Sequence, residues 1–208
     1  VHDLSDVKLS ANWMAAAGQP GEDAALYDTV RAVALEFCVA LGVSIPVGKD
    51  SLSMRTTWRD GDVDKAVAAP VSLIVSAFIS FDEQRARFLP RLRRDAGETS
   101  LVHLDLGDGR RRLGASVLAQ VHDQLGNEAP DVDPQRLRAF FALVQALRAE
   151  RRLLAYHDVS DGGLFATLAE MAFAARCALD ISLPGAPDDA LVSLFAETMG
   201  LVVLFLQR

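Results

Sequence analysis

Hydrophobic positions along the chain fall into two spacings, and the change from one to the other divides the sequence. From Ala24 to Leu41, the residues Leu26, Val30, Val33, Ala34, Phe37 and Leu41 follow the period of an amphipathic helix. Gly42 stands where such a helix stops. A β-like run, Val43–Val47, follows at once; after a polar, charged loop at Arg59–Lys65 a second β-like run spans Val71–Phe78. Residues 1–23 read as loop and short elements, with Trp13 and Met14 ahead of the turn-rich Gly18-Gln19-Pro20-Gly21. Phe81–Thr99 is charged, contains Pro90 and Gly97, and reads as a connector with one short helix. Beyond it the spacing alternates. The pattern predicts strand Leu101–Leu106, helices Leu113–Leu125 and Gln135–Arg151, strand Leu153–His157 and helix Gly162–Ala175. It continues with strand Leu179–Leu183, helix Asp188–Met199 and strand Leu201–Leu206. Such an order implies an α/β or α+β class, with helices laid against a sheet. The helix at 24–41 and the strands near 47 and 71–78 are expected to form a lobe apart from residues 100–208. The latter should make a sheet with helices on one face.

Composition narrows the function classes. The 208 residues suffice for one large α/β domain or parts of two, and 50% of them are hydrophobic, which allows a sizeable core. A net charge of −7 argues against a nucleic-acid partner, because no basic stripe is available to neutralise phosphates. Short basic clusters at Arg91, Arg93 and Arg94, at Arg110–Arg112 and at Arg151–Arg152 are flanked by acids and read as solvated faces. Cys38 and Cys177 lie in helical apolar patterns without a CxxC or metal spacing, so they read as buried thiols of a reducing compartment. The apolar runs are too short to span a bilayer and no signal peptide is evident, so a soluble cytoplasmic protein without a membrane partner is expected. The chain lacks an initial methionine and stops two residues after an apolar strand, which reads as an internal piece of a longer protein.

Two stretches carry candidate chemistry. In Ser44-Ile-Pro-Val-Gly-Lys-Asp-Ser-Leu-Ser-Met54 an apolar run gives way to Gly48, Lys49, Asp50 and Ser51. The glycine would let a phosphate or purine approach the backbone, the lysine offers a point charge, and Asp50 and Ser51 offer oxygen ligands. The same residues also make an ordinary glycine-centred turn, and the spacing is not that of a P-loop. In Ala155–Ala172 a strand delivers His157 and Asp158 at its carboxyl end, and Val159-Ser160-Asp161-Gly162-Gly163 turns into a helix. Ligands of α/β sheets gather outside such strand ends, and a helix N-terminus offers N–H groups to an anion. Asp158 suits Mg²⁺, a hard cation shared with phosphates, and Ser160 suits a phosphate oxygen. Alternatively Ser160 or Asp161 caps the helix and the two glycines permit the sharp entry. His157 by itself reads as a satisfied, partly buried histidine.

Three segments taken in order, Lys8–Val30, Leu41–Met54 and His157–Ala174, closely resemble successive segments of large-type phosphoribosylformylglycinamidine synthase, an ATP- and glutamine-dependent amidotransferase of purine synthesis. The resemblance runs over nearly the whole chain, as an internal piece of a protein several times longer. It implies an aminoimidazole-ribonucleotide-synthetase-like fold, in which each of two tandem repeats has a barrel-forming N-terminal half and a C-terminal α/β half. Residues 1–80 would be the last part of the second N-terminal half, and residues 81–208 most of the second C-terminal half. It further implies that Asp158 contacts Mg²⁺, that Ser160 contacts ATP or ADP, and that Gly48, Lys49 and Ser51 hold nucleotide or a phosphorylated substrate. Lys49 departs from the asparagine of the small-type enzymes; a protonated lysine cannot ligate Mg²⁺, so this position would hold phosphate by direct charge or belong to a structural nucleotide site.

The family's glycine-rich ATP loop, its upstream metal helix and its glutaminase module are not found here. No catalytic residue is therefore assigned, and the piece alone is expected to lack amidotransferase activity. Its expected partners are the remaining synthase chain, with the first synthetase-like repeat and the glutaminase domain. Self-association is expected as well, through unpaired strand edges at Val43–Val47 and Leu73–Phe78. Another ATP-dependent synthetase or kinase of the same fold is one alternative, and a non-catalytic scaffold domain is the other. Mg-ADP titration separates the scaffold from both enzymes.

Overall fold

The structure, a computed structural model, describes residues 3–80, 87–183, 185 and 187–206. Its contacts divide the chain into two compact units, Val1–Asp82 and Glu83–Arg208.

The first unit is built on a three-stranded sheet. Strand β1 (Lys8–Met14) is central, although these residues look like loop in the sequence. Strand β2 (Ser44–Ser51) pairs with it in parallel, and β5 (Ser72–Phe78) pairs with it antiparallel. Between β1 and β2, α1 (Glu22–Val30) continues through π-helical turns at Arg31–Phe37 into α2 (Cys38–Leu41). Gly42 ends this helix with φ +75°, a conformation glycine adopts without a Cβ penalty. The stretch expected to be a charged loop is instead a hairpin of β3 (Arg55–Asp60) and β4 (Val63–Ala68). Gly61, with φ +61°, takes the first of its two turn positions, where a tight hairpin needs a left-handed residue.

The second unit is an antiparallel sheet in the order β6 (Thr99–Asp105), β8 (Gly200–Leu206), β7 (Leu153–Val159). Helices cover both of its faces, not one. On one side α5 (Gly163–Ala175) brings Leu164 and Met171 against Ala155, Val159, Val202 and Leu204. On the other, α4 (Pro134–Ala149) brings Phe140, Val144 and Leu147 against Leu153, Leu201 and Val203. The reason lies in β8: Leu201, Val202, Val203 and Leu204 are all buried, so consecutive side chains need apolar cover on opposite faces. Each such burial contributes about 1.5–3 kcal/mol.

Helix α4 starts at Pro134, with the Asp133 carboxylate accepting from the Arg136 N–H at 2.8 Å. The helix expected at 113–125 shortens to α3 (Val117–Val121), because the Gly114 and Ala115 amides donate to Glu128 and Leu125 carbonyls. Helix α6 spans Pro187–Phe195. No strand forms at Leu179–Leu183; Leu183 serves as partial cover of the core. Residues 87–98 of the expected connector are irregular, and the rest of it, 81–86, lies outside the described residues. Cys38 is buried and Cys177 half-buried, both as free thiols. Among the described residues no helix is long and apolar enough to cross a membrane.

Candidate functional site

In the second unit the apolar positions of β7 anchor the strand to the core, and its carboxyl end delivers Asp158 to the surface. The Asp158 side chain is 68% exposed, while the neighbouring His157 is only 19% exposed. His157 Nε2 lies 2.6 Å from Glu170 Oε2 on α5, and its Nδ1 lies 3.4 Å from Asp158 Oδ1. The imidazole is thus set between two carboxylates, a satisfied histidine. Burial pushes the Tyr156 phenol above its ordinary range, and the Asp158 charge adds to the shift.

The turn after β7 is tied internally. Thr167, 2% exposed on α5, donates its hydroxyl at 3.1 Å both to the Asp158 carbonyl and to the Gly163 carbonyl. Ser160 Oγ accepts from the Asp161 N–H at 2.6 Å, which leaves the Ser160 hydroxyl proton for another acceptor. Neither Ser160 nor Asp161 caps α5. The cap position is Gly162, with φ +80° and no side-chain cap of its own, and the Gly162 N–H donates to Glu197 Oε1 at 2.8 Å. Gly163 also has positive φ, and a Cβ there would lie 2.6 Å from the Leu194 carbonyl oxygen and 2.8 Å from that of Ala196. The glycine pair is therefore dictated by packing as well as by turn geometry.

The first unit holds the other candidate residues, and strand β2 runs through them where a break at Val47 is expected. Gly48, Lys49, Asp50 and Ser51 pair in register with Ala11, Asn12, Trp13 and Met14. A Cβ on Gly48 would lie 2.2 Å from the Ala11 carbonyl oxygen, so glycine is required here by the neighbouring backbone. Lys49 and Asp50 are exposed, Ser51 half-buried. Asn12 Oδ1, in register with Lys49, and Trp13 Nε1 are buried without a hydrogen-bond partner among the described residues. The candidate residues therefore form two sets, one in each unit, and each is described by itself.

The comparisons with known proteins follow these two units. Residues 1–80 match the FGAR-AT PurM_N-like domain. Residues 100–208, more than half of the chain, match the AIR synthase related protein, C-terminal domain. The chain belongs to the AIR synthase related protein family. Among solved structures, Escherichia coli HypE, a hydrogenase maturation protein, is similar with a TM-score of 0.61 at 20% identity, over 95% of this chain and 58% of that one. Thermotoga maritima PurL, solved in complex with ATP, is similar with a TM-score of 0.54 at 12% identity, over 95% of this chain and 29% of that one. PurLQS from the same organism gives a TM-score of 0.55 at 10% identity, over 97% of this chain and 30% of that one. At these identities the likeness is one of fold, and this chain spans little more than half of the HypE chain and under a third of the PurL chains.

For a family member with this fold, the donor set bears on a divalent cation. Asp158 offers one exposed carboxylate, and no group of three or more His, Cys, Asp or Glu side chains among the described residues could cage a metal ion. One carboxylate suits Mg²⁺ shared with a phosphate, since that ion usually keeps waters and takes only one or two protein carboxylates. Sequence reasoning missed Glu170, Thr167 and Glu197. Glu170 and Thr167 follow the turn at helical spacing on α5, a signal that could have found them. Glu197 is remote in sequence and carries no such signal.

Proposed function

We propose that the chain is part of a large-type phosphoribosylformylglycinamidine synthase. That enzyme is the ATP- and glutamine-dependent carbon–nitrogen ligase that converts formylglycinamide ribonucleotide to formylglycinamidine ribonucleotide. Residues 1–80 are then the last part of the second barrel-forming half, and residues 81–208 most of the second C-terminal half. The observation that carries the reading is the exposed Asp158 at the carboxyl end of β7, followed by the Ser160 hydroxyl and the Gly162-Gly163 turn. Asp158 holds Mg²⁺ against a nucleotide phosphate, and the Ser160 hydroxyl donates to a phosphate oxygen. The bound cation neutralises phosphate charge. In the first unit Lys49, in register with Asn12, supplies positive charge and Ser51 a hydroxyl, and Gly48 lets their strand lie close against β1. The domain match at residues 1–80 and the solved ATP complex of PurL support this assignment. The chain's partners are the rest of the synthase chain and its glutaminase domain in the cytoplasm, and it has no amidotransferase activity alone.

The higher TM-score to HypE favours, as the second reading, another ATP-dependent enzyme of the same fold. Calorimetric titration with Mg-ADP tests the nucleotide site common to both: saturable heat is expected, and its absence at millimolar ADP would leave the scaffold reading in place. Amidation of formylglycinamide ribonucleotide by the full-length enzyme, abolished by Asp158→Asn, separates the first reading from the second.

A further inference from the structure

We propose that Glu197 is a positioning residue that clasps the Asp158–Gly163 turn to the loop leading into α3. The proposal rests on the reading of that turn as a Mg-nucleotide site. A single carboxylate oxygen, Glu197 Oε1, accepts from the Val117 N–H at 2.8 Å and from the Gly162 N–H at 2.8 Å. These amides lie 80 and 35 residues away in sequence. Both belong to helix starts, where N–H groups have no intrahelical carbonyl to reach: Val117 is the first residue of α3, and Gly162 is the cap of α5. Charge-assisted bonds from a carboxylate to such amides are stronger than those from a neutral acceptor.

Each side of the clasp is itself fixed. On the α3 side Ser116 is fully buried; its hydroxyl donates to the Leu113 carbonyl at 2.7 Å and accepts from the Ala119 N–H at 3.2 Å. On the turn side the Thr167 hydroxyl joins the Asp158 and Gly163 carbonyls, so the backbone carrying Asp158 moves together with Gly163. Glu197 stands on anchored backbone as well. Ala196 before it is buried against the Gly163 turn, Thr198 after it donates its hydroxyl to the Arg110 carbonyl at 3.3 Å, and the Met199 carbonyl accepts from the Leu106 N–H at 3.0 Å. Among the described residues holding the turn, Glu197 is the one whose side chain links it to the α3 loop. It therefore sets where the Asp158 backbone stands relative to that loop, without itself touching a ligand.

The test uses the chain as it stands and the variants Glu197→Ala, Glu197→Gln and Asp158→Asn, at a temperature where circular dichroism shows each folded. Amide hydrogen exchange needs no ligand. Loss of a charge-assisted bond at each amide predicts about tenfold or more faster exchange at Val117 and Gly162 in Glu197→Ala. Glu197→Gln, which keeps the oxygen acceptor, should fall between that variant and wild type. Unchanged protection in Glu197→Ala would overturn the clasp. In Mg-ADP titrations Glu197→Ala should weaken binding about tenfold, with partial rescue by Gln and a smaller loss when Asp158→Asn is already present. Additive losses would overturn the positioning role. Should wild type bind no Mg-ADP, the nucleotide reading fails, and the exchange experiment by itself decides whether the clasp exists.

Discussion

In the unit that ends the chain, β8 buries Leu201, Val202, Val203 and Leu204 in succession; in the unit that begins it, β3 and β4 expose every residue and β5 exposes all but Leu73. The buried positions of the first unit are mostly small, Ala11, Ala15 and Ala16 with Trp13, Cys38 and Leu41. Its exposed ones include Val47, Trp58, Val67, Ile74 and Phe78. Both units are sheet-and-helix constructions with similar hydrophobic strands, so strand composition alone does not tell how much cover a strand has. The second unit fills two core layers with its own helices. The first leaves apolar strand surface of the kind that marks an interaction site. A candidate ligand turn at Asp158 thus stands on a self-sufficient core, while the Gly48–Ser51 strand belongs to a sheet that is only partly covered.

The largest effect that sharpens this contrast is Met171→Ala. Met171 is fully buried between α5 and the sheet, and its truncation should cost about 2–5 kcal/mol, read as a lower denaturation midpoint. The matching truncation in the first unit, Ile74→Ala, should stay within about 0.5 kcal/mol at dilutions where the chain is monomeric. Equal losses would break the comparison. Gly48→Ala comes next: its Cβ meets the Ala11 carbonyl oxygen, and displacing β1 should cost about 1–3 kcal/mol in chemical denaturation. A neutral result would remove the packing account of Gly48. A third effect concerns the open strands. Sedimentation of the wild-type chain should show self-association that Ile74→Lys and Phe78→Lys each diminish, since charge on an apolar strand surface opposes pairing. A wild-type monomer at high concentration contradicts this.

The smallest effect is a pH dependence in the second unit. Desolvation lowers the His103 pKa from its ordinary 6.5, outweighing the opposing charge of Asp105. The unfolded chain then binds a proton before the folded one does, so this contribution is fully present above pH 6.5 and declines as the pH falls from there through the folded value. The imidazole is partly solvent-exposed and screened, so the slope is shallow. Melting temperatures of His103→Gln between pH 7 and 5 should lack the part of the acid slope that wild type shows.

Local signals made much of the second unit legible. The β7 strand, the glycine turn and α5 follow from alternation, two glycines and a helical stripe, all within one stretch. The apolar run Leu201–Leu206 reads directly as β8. Where partners are distant, the signal fails. β1 carries a short alternation of Leu9, Ala11 and Trp13 diluted by Ser10 and Asn12, and it is a strand because β2 and β5 flank it. The β3–β4 hairpin does have a local cue, Asp60-Gly61 between alternating runs, hidden by its charges. Leu179, Ile181 and Leu183 alternate like a strand, yet join no ladder: Leu179 and Ile181 are exposed, and Leu183 packs against the core. At the candidate site the same division holds. Asp158 and Ser160 are visible as a motif, whereas Glu197 emerges only when folding brings two remote amides onto its carboxylate.

In the proposed function Asp158 is the charged ligand of a Mg-nucleotide site on the second unit, and a paired titration reads that role. Mg-ADP binding to Asp158→Asn and to Asp161→Asn is measured beside wild type in the full-length enzyme, with thermal melts to verify folding. Asp158→Asn keeps the side-chain shape but removes the charge, and should weaken binding by about 1.5–3 kcal/mol. Asp161, exposed and not a cap of α5, should tolerate the same change with nucleotide affinity close to wild type. If Asp158→Asn bound Mg-ADP as tightly as wild type, the metal-ligand assignment would be wrong and the turn would be structural only.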